Sequence, residues 1–330
     1  MNEISENIGI VGTGFFVPDR ILTNFDLEKS VNTTDKWIKE RTGIHERRIA
    51  ADDEATSDLS VKAGLESLRN ADIRPDELDL IIVATLSPDM LFPSTACLVQ
   101  KNIGATKAVA FDISAACSGF IYGLSIAQQF LQNETYETAL VIGSEVFSRI
   151  VDWQDRNTCV LFGDGAGASV LRKVKNGGGI ISINLGSDGS GTDLLKQPAG
   201  GSRLPASHET INRRLHTVKM EGKEVFKFAT RSMVQAVINA LEEVGLHPED
   251  IDLLIPHQAN KRILESVAKR LNLPMDKVFI NLNKYGNTSA ASIPIALCEA
   301  SEQGRIKKDD IVVLTSFGAG LTWGACVIRW

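Results

Sequence analysis

Residues 75–85 read Pro75-Asp76-Glu77-Leu78-Asp79-Leu80-Ile81-Ile82-Val83-Ala84-Thr85, and residues 248–257 read Pro248-Glu249-Asp250-Ile251-Asp252-Leu253-Leu254-Ile255-Pro256-His257. Pro75, Asp79, Leu80 and Ile82 thus recur 173 positions later as Pro248, Asp252, Leu253 and Ile255. Asp79–Thr85 is an almost continuous apolar run, the mark of a strand covered on both faces. Ahead of it, Ser57–Asn70 places Leu59, Ala63, Leu65 and Leu68 at helical spacing, and the same shift lays Ala63, Leu65 and Leu68 on Ala236, Ile238 and Leu241. Beyond it, Val109–Ile113 and Thr138–Gly143 read as further buried strands, and Ile8–Val11 as a short strand closed by Gly12 and Gly14. A shift of 170 lays Val109–Cys117 over Phe279–Asn287, and one of 172 lays Ala139, Val141, Ile142 and Ser144 on Ile311, Val313, Leu314 and Ser316. The chain therefore reads as an α/β protein made of two copies of one unit. The boundary falls near Lys173–Gly179, giving halves at 1–175 and 176–330.

The remaining composition narrows the class. The 330 residues are 43% hydrophobic and 23% charged, ordinary for a globular protein and unlike a disordered or collagenous one. A net charge of −6 gives no general attraction to nucleic acid or anionic membrane. No apolar run approaches the roughly 18 residues of a membrane helix. Met1–Gly9 carries Glu3 and Glu6 without a basic cluster, which is not the pattern of a signal peptide. Five dispersed cysteines without CxxC spacing predict a reduced, cytoplasmic protein with no metal site.

In an open α/β sheet, ligands bind beyond the carboxyl ends of the strands. Cys117, His257 and Asn287 all fall at such ends, and the duplication predicts that Cys117 and Asn287 occupy equivalent positions. Cys117, in Ser114-Ala115-Ala116-Cys117-Ser118-Gly119, is expected to open a helix running to about Leu131. There the positive helix end favours the thiolate. A small buried hydrophobe is the other reading, and it suits Cys97, Cys159, Cys298 and Cys326. His257 follows a buried strand directly, whereas His45, His208, His216 and His247 have no supporting pattern. Asn287 is either an N-cap or an amide donor into the same site. The glycines of Gly9–Gly14 and Gly163–Gly167 do not form a nucleotide-binding GxGxxG in register; close backbone packing accounts for them. Gly318-Ala319-Gly320 follows a strand and leaves backbone N–H groups free to face a substrate.

Ser114–Gly119 with Cys117, Pro256–Asn260 with His257, and Gly286–Ser289 with Asn287 resemble the thiolase superfamily, specifically the β-ketoacyl-acyl carrier protein synthase III family. Trp37 with Arg41-Thr42-Gly43-Ile44, Phe92-Pro93-Ser94 and Phe162-Gly163-Asp164-Gly165-Ala166 are similar to further motifs of that family. The resemblance runs from Ile8 to Gly324. It implies a thiolase-like fold of two pseudo-symmetric halves and a decarboxylative condensation of a short acyl-CoA, acetyl-CoA by expectation, with malonyl-acyl carrier protein. The product is a 3-oxoacyl-acyl carrier protein that initiates fatty acid synthesis.

By the same resemblance, Cys117, His257 and Asn287 are catalytic, and the amides of Cys117 and Ala319 form the oxyanion hole. Trp37, Arg41, Arg156 and Asn260 contact CoA, with Trp37 and Arg156 sandwiching the adenine. Lys223 stands where the family often has asparagine. Leu86, Phe147 and Phe92, the last reaching into a partner subunit, line the acyl pocket of a homodimer. Lys227, Arg262, Lys269 and Arg270 dock the acidic carrier protein, although a solvated helix face also explains them. No metal or redox cofactor is implied. Alternatives are a related condensing enzyme or acyltransferase of secondary metabolism, a type III polyketide synthase and a non-catalytic acyl-binding partner subunit.

Overall fold

Leu80–Ala84 is buried at every position, as a strand covered on both faces must be. It forms β2 of a five-stranded sheet with β1 (Asn7–Phe16), β3 (Val109–Ile113), β4 (Ala139–Glu145) and β5 (Gly165–Val174). The order is β1-β5-β4-β2-β3. The computed structural model describes residues 7–133, 135–175 and 177–330; Glu3 and Glu6 lie outside them, as does residue 176 at the expected boundary. After that boundary come β6 (Gly179–Ser187), β7 (Leu253–Pro256), β8 (Ile311–Gly318) and β9 (Thr322–Arg329), in the order β7-β8-β9-β6. In both sheets the strand quoted at the outset runs parallel to the next long strand of its half, and the last strand returns antiparallel.

The register corrects two of the sequence matches. Leu80 lies beside Ala139 and Leu253 beside Val312, so these strand pairs are 173 residues apart, not 172. A slip of one residue would turn every side chain of β8 to the opposite face. Further along, Ala110 lies beside Ile81, and Val278 lies beside Leu254 in a lone bridge, a spacing of 168. The turns that precede the next helices, Ala116–Ser118 and Ser289–Ala291, are again 173 apart. The second copy is therefore five residues longer between strand and helix. The surplus region holds a short helix, Leu282–Tyr285, and leads into Asn287. The counterpart of Cys117 is thus Ala290; an insertion between two matched segments makes the intermediate spacing of 170 fit neither.

Helices α1 (Asp35–Thr42), α2 (Thr56–Ala71), α3 (Thr95–Ile103), α4 (Gly119–Gln132), α5 (Gly222–Glu242), α6 (Lys261–Arg270) and α7 (Ser292–Glu302) complete the frame. α2 and α3 cover the outer face of the first sheet through Leu59, Leu68 and Val99. α5 and α6 cover the second through Met233, Leu264 and Val267. α4 and α7 lie between the sheets, where Phe120, Leu124, Ile293 and Leu297 meet Ile82, Val141, Ile255 and Leu314. Ser292–Ala300 is buried at every position, the pattern of a helix enclosed on all sides. Each fully buried Leu or Phe there contributes about 1.5–3 kcal/mol.

β1 is longer than the expected Ile8–Val11. It continues through Gly12 and Gly14 with a register shift after Ile10. These glycines do not end the strand; they admit α2, because a Cβ on Gly14 would stand 2.4 Å from the Ser67 nitrogen.

Candidate active site

Cys117 lies in the tight turn Ala116–Ser118, and α4 begins two residues later at Gly119, so the helix does not open at the cysteine. Ala116 holds φ at 50°, a conformation uncommon outside glycine. The second half fastens this turn. Ser316 Oγ donates to the Cys117 carbonyl (2.7 Å), Ser118 Oγ to Thr322 O (3.2 Å), and Thr322 Oγ1 to Ala115 O (3.0 Å). Gly318 lies so close that a Cβ would stand 2.7 Å from the Cys117 nitrogen. Burial pushes the Cys117 thiol up to about 12. Burial thus works against the thiolate that the helix end favours, because the charge is taken out of water.

His257 follows β7 and donates its backbone N–H to Thr315 O (2.8 Å). Its Nδ1 lies 2.6 Å from Ser292 Oγ, which also accepts the Gln258 N–H (3.4 Å). With Ser292 donating its hydroxyl proton to Nδ1, the neutral ring carries its proton on Nε2, the tautomer that can donate into the cavity. Burial lowers the His257 pKa to about 3, so the imidazole is neutral at ordinary pH. Asn287 is held by its backbone between Leu161 O (2.8 Å) and the Gly163 N–H (3.1 Å). Its Oδ1 accepts the Ser289 N–H (2.8 Å), which leaves the Nδ2 group as the donor. Ala319 does not have positive φ, so its Cβ introduces no strain.

Cys117, His257, Asn287 and Ala319 line one cavity of about 810 Å3. Leu86, Phe147 and Phe162 form an apolar wall, the two phenyl rings stacked with centroids 4.4 Å apart. Trp37, Arg41, Lys223, Lys227, Asn260 and Arg262 line the same cavity. Asn260 also caps α6: its Oδ1 accepts the Arg262 N–H (2.9 Å), and its Nδ2 donates to Arg41 O (3.1 Å).

Four predicted site residues are not on this wall. The Arg156 guanidinium lies 4.9 Å from the Trp37 ring. A base slipped between them needs two contacts of about 3.5 Å, so Arg156 must swing aside to admit one. Phe92 is 83% exposed. Lys269 and Arg270 sit at the far end of α6, exposed, while Leu264, Val267, Ala268 and Leu271 form its buried stripe.

Sequence reasoning did not single out Ser289, Ser292 or Glu145. The Asn-x-Ser spacing of Asn287 and Ser289 is a turn signal, and Glu145 is conspicuous as an acid ending an apolar strand. Ser292 carries no such signal, because only the tertiary fold brings it to His257. Among the described residues, no group of three or more His, Cys, Asp or Glu is placed to hold a metal ion. No helix among them is long and apolar enough to cross a membrane.

The sequence matches the family description "3-Oxoacyl-[acyl-carrier-protein (ACP)] synthase III" over residues 111–189 and that of its C-terminal region over residues 241–330. It is 62% identical over 322 residues to the beta-ketoacyl-[acyl-carrier-protein] synthase III of Caldanaerobacter subterraneus subsp. tengcongensis, covering 98% of this chain and 97% of that one. It is 58% identical over 327 residues to the Natranaerobius thermophilus protein of the same name, covering 98% and 99%. The crystal structure of 3-oxoacyl-[acyl-carrier-protein] synthase III from Aquifex aeolicus VF5 superimposes with a TM-score of 0.91 at 49% identity, covering 98% of this chain and all of that one. The chain belongs to the beta-ketoacyl-[acyl-carrier-protein] synthase III family, thiolase-fold acyltransferases that carry out the initiating condensation of fatty acid synthesis.

Proposed function

We propose that the cavity condenses a short acyl-CoA primer with malonyl-acyl carrier protein through an acyl-Cys117 intermediate. The observation that carries this reading is the meeting of Cys117, His257, Asn287 and Ala319 on one cavity wall. Cys117 attacks the primer thioester, and CoA leaves as the thiolate. The malonyl thioester then enters and loses carbon dioxide, and the electron pair of the broken bond forms an enolate. The His257 Nε2–H and the Asn287 Nδ2–H donate to the enolate oxygen. The enolate carbon attacks the acyl-Cys117 carbonyl, whose oxyanion is received by the Cys117 and Ala319 amides. The thiolate is then expelled, and the 3-oxoacyl product leaves on the carrier protein. No step calls on a metal or redox cofactor.

Trp37, Arg41, Arg156 and Asn260 would hold the CoA at the mouth, and Leu86, Phe147 and Phe162 the acyl chain. Lys227, Arg262, Lys269 and Arg270 supply positive charge for the acidic carrier protein, although Lys227 is already paired with Glu224 at 2.8 Å. Met90, Leu91 and Phe92 are exposed by 47, 84 and 83%. Such an apolar cluster suits a contact with another protein, here a second copy whose acyl pocket receives Phe92.

Intact mass spectrometry after incubation with a panel of acyl-CoAs tests the intermediate and reads the primer. One acyl group on Cys117 is expected; acylation that survives Cys117→Ala refutes the reading. Asn287→Ala should cut decarboxylation and condensation about 10²–10³-fold while Cys117 still acylates. Arg262→Glu should raise KM for malonyl-carrier protein and spare acylation by acetyl-CoA. Turnover of free malonyl-CoA as fast as of malonyl-carrier protein would favour the secondary-metabolic alternative.

A further inference from the structure

Glu145 ends β4 and is fully buried. The groups that reach its carboxylate are all neutral donors. Oε2 accepts the Thr85 hydroxyl (3.2 Å) and the Ser87 N–H (3.1 Å) and hydroxyl (2.6 Å), all from the first half. Oε1 accepts the Ser289 hydroxyl (3.0 Å) from the second half. The Leu86 N–H is shared, 3.1 Å from Oε2 and 3.2 Å from Oε1. A charge taken out of water with only neutral partners is costly, so its place beside the cavity needs a reason. Both segments that it ties lead into the cavity. Leu86 belongs to the apolar wall, and the Ser289 N–H holds Asn287 Oδ1 at 2.8 Å.

We propose that Glu145 is a positioning residue for both half-reactions: its one carboxylate sets the primer wall through Leu86 and aims the Asn287 amide through Ser289. The inference rests on the reading of the cavity given above, with Leu86 against the primer and Asn287 against the enolate. Glu145 itself is not on the cavity wall and acts only through the backbone it holds. On the first-half side, the Ser87 hydroxyl also accepts the Val146 N–H (2.9 Å), which closes the loop back onto the end of β4. A Leu86 pinned by its own N–H cannot retreat from the cavity, so the depth of the primer wall is fixed. On the second-half side, Ser289 holds φ at 50°. A non-glycine residue keeps that conformation only where its surroundings hold it, and the bond from its hydroxyl to Glu145 is one such hold. With the Ser289 N–H fixed, Asn287 Oδ1 is engaged and Nδ2 is turned to donate.

A carboxylate suits this place because its two oxygens offer about four acceptor sites and no donor. Glutamine would keep one acceptor oxygen and turn an NH2 group toward other donors, so either the Thr85–Ser87 loop or the Ser289 turn would go unheld. Burial raises the Glu145 carboxyl to about 7, while the Thr85, Leu86, Ser87 and Ser289 donors favour its charged form. Above that pH the carboxylate prevails and both arms of the clamp are made.

The test separates the two arms in the full-length protein at about pH 8. Intact mass spectrometry follows acylation of Cys117 by acetyl-CoA and by hexanoyl-CoA, and a single turnover of the acetylated enzyme with malonyl-carrier protein reads condensation. Ser289→Ala cuts the Oε1 arm: condensation should fall at least about tenfold, with the ratio of hexanoyl to acetyl acylation unchanged. Ser87→Ala cuts the shortest bond of the Oε2 arm: that ratio should rise at least about threefold, with condensation by the acetylated enzyme nearly unchanged. Glu145→Gln should do both. In an Asn287→Ala background, Ser289→Ala should cost condensation less than about twofold, because the group it aims is gone. Thermal melts establish that each variant folds; if Glu145→Gln does not, the two serine variants decide. Losses that do not split between the arms, or a Ser289→Ala cost undiminished by Asn287→Ala, would make Glu145 a structural residue only and overturn the proposal, leaving the reaction of the cavity standing. A wild-type protein that takes no acyl group on Cys117 would overturn the reading of the cavity as well.

Discussion

The turns Ala116–Ser118 and Ser289–Ala291 are the same piece of backbone in two copies. Each begins at a φ of 50° and hands the chain to a central helix. Only the first carries a cysteine, the proposed nucleophile; its counterpart in the second is Ala290, whose Cβ would lie 3.7 Å from a Cβ on Gly119. The second half contributes instead from outside the repeated frame. The longer loop between strand and helix brings in Asn287, and His257 stands where the first half has Ala84. Duplication thus supplied two matching turns, and the proposed chemistry uses the residues by which they differ.

Exchanging the residues at the two addresses is the severest way to break this comparison. Cys117→Ala should abolish condensation, a loss of at least about 10³-fold. Adding Ala290→Cys to that variant should not restore it, because Gly318, Ala319 and the fastening to Ser316 and Thr322 surround only the first turn. Acylation of the double variant at residue 290, read by peptide mass mapping, would show that the backbone address alone suffices. A smaller effect is expected at the glycines that press on the turns. A Cβ on Gly143 would stand 2.2 Å from Ala290 O, and one on Gly318 2.7 Å from the Cys117 nitrogen. Both substitutions to alanine should destabilise by roughly 1–3 kcal/mol or more, Gly143→Ala the more. Only Gly318→Ala should also slow acylation by a larger factor than lost stability explains, since it displaces the Cys117 amide, a proposed oxyanion donor. Denaturant melts and single-turnover acylation separate the two; equal rate losses would erase the distinction between the turns.

Much of this was legible in the sequence because apolar runs and glycines respond to local rules. Leu80–Ala84 and Val109–Ile113 are strands for the reason their composition suggests, and Cys117, His257 and Asn287 stand out at strand ends. The misplaced equivalence of Cys117 and Asn287 has one cause. Sparse identities report a spacing but not where an insertion sits, and only pairing of Val278 with Leu254 and of Ala110 with Ile81 locates it. The protonation of the site was illegible for a different reason. The helix end beside Cys117 is a local feature, whereas the burial that opposes it comes from the other half of the chain. Ser292 and Glu145 matter through partners 35 and 144 residues away, His257 and Ser289 respectively.

The mildest probe of the comparison makes the second half resemble the first at its strand end. His257 is buried with its pKa lowered to about 3, against 6.5 when unperturbed. Between those values the unfolded chain binds a proton that the folded protein refuses, so this residue removes stability as pH falls below 6.5. At about pH 5 the loss is about 2 kcal/mol. Glu145 works in the opposite direction: its raised pKa lets the folded state hold a proton from about 7 downward, which adds stability as pH falls toward 4.5. The wild-type curve is therefore flatter than either residue alone would make it. Replacing His257 with alanine, the residue at the matching position 84, removes the first contribution and leaves the second. The variant should be less stable than the wild type at neutral pH, because Ser292 loses its partner, yet its stability should fall less, or rise, on going to about pH 5. Denaturant melts at the two pH values read the difference of slopes, which is free of the constant cost. Parallel slopes would mean that His257 is protonated as readily in the folded protein as in the unfolded chain, and that the enolate oxygen would meet a cation there and not a neutral donor.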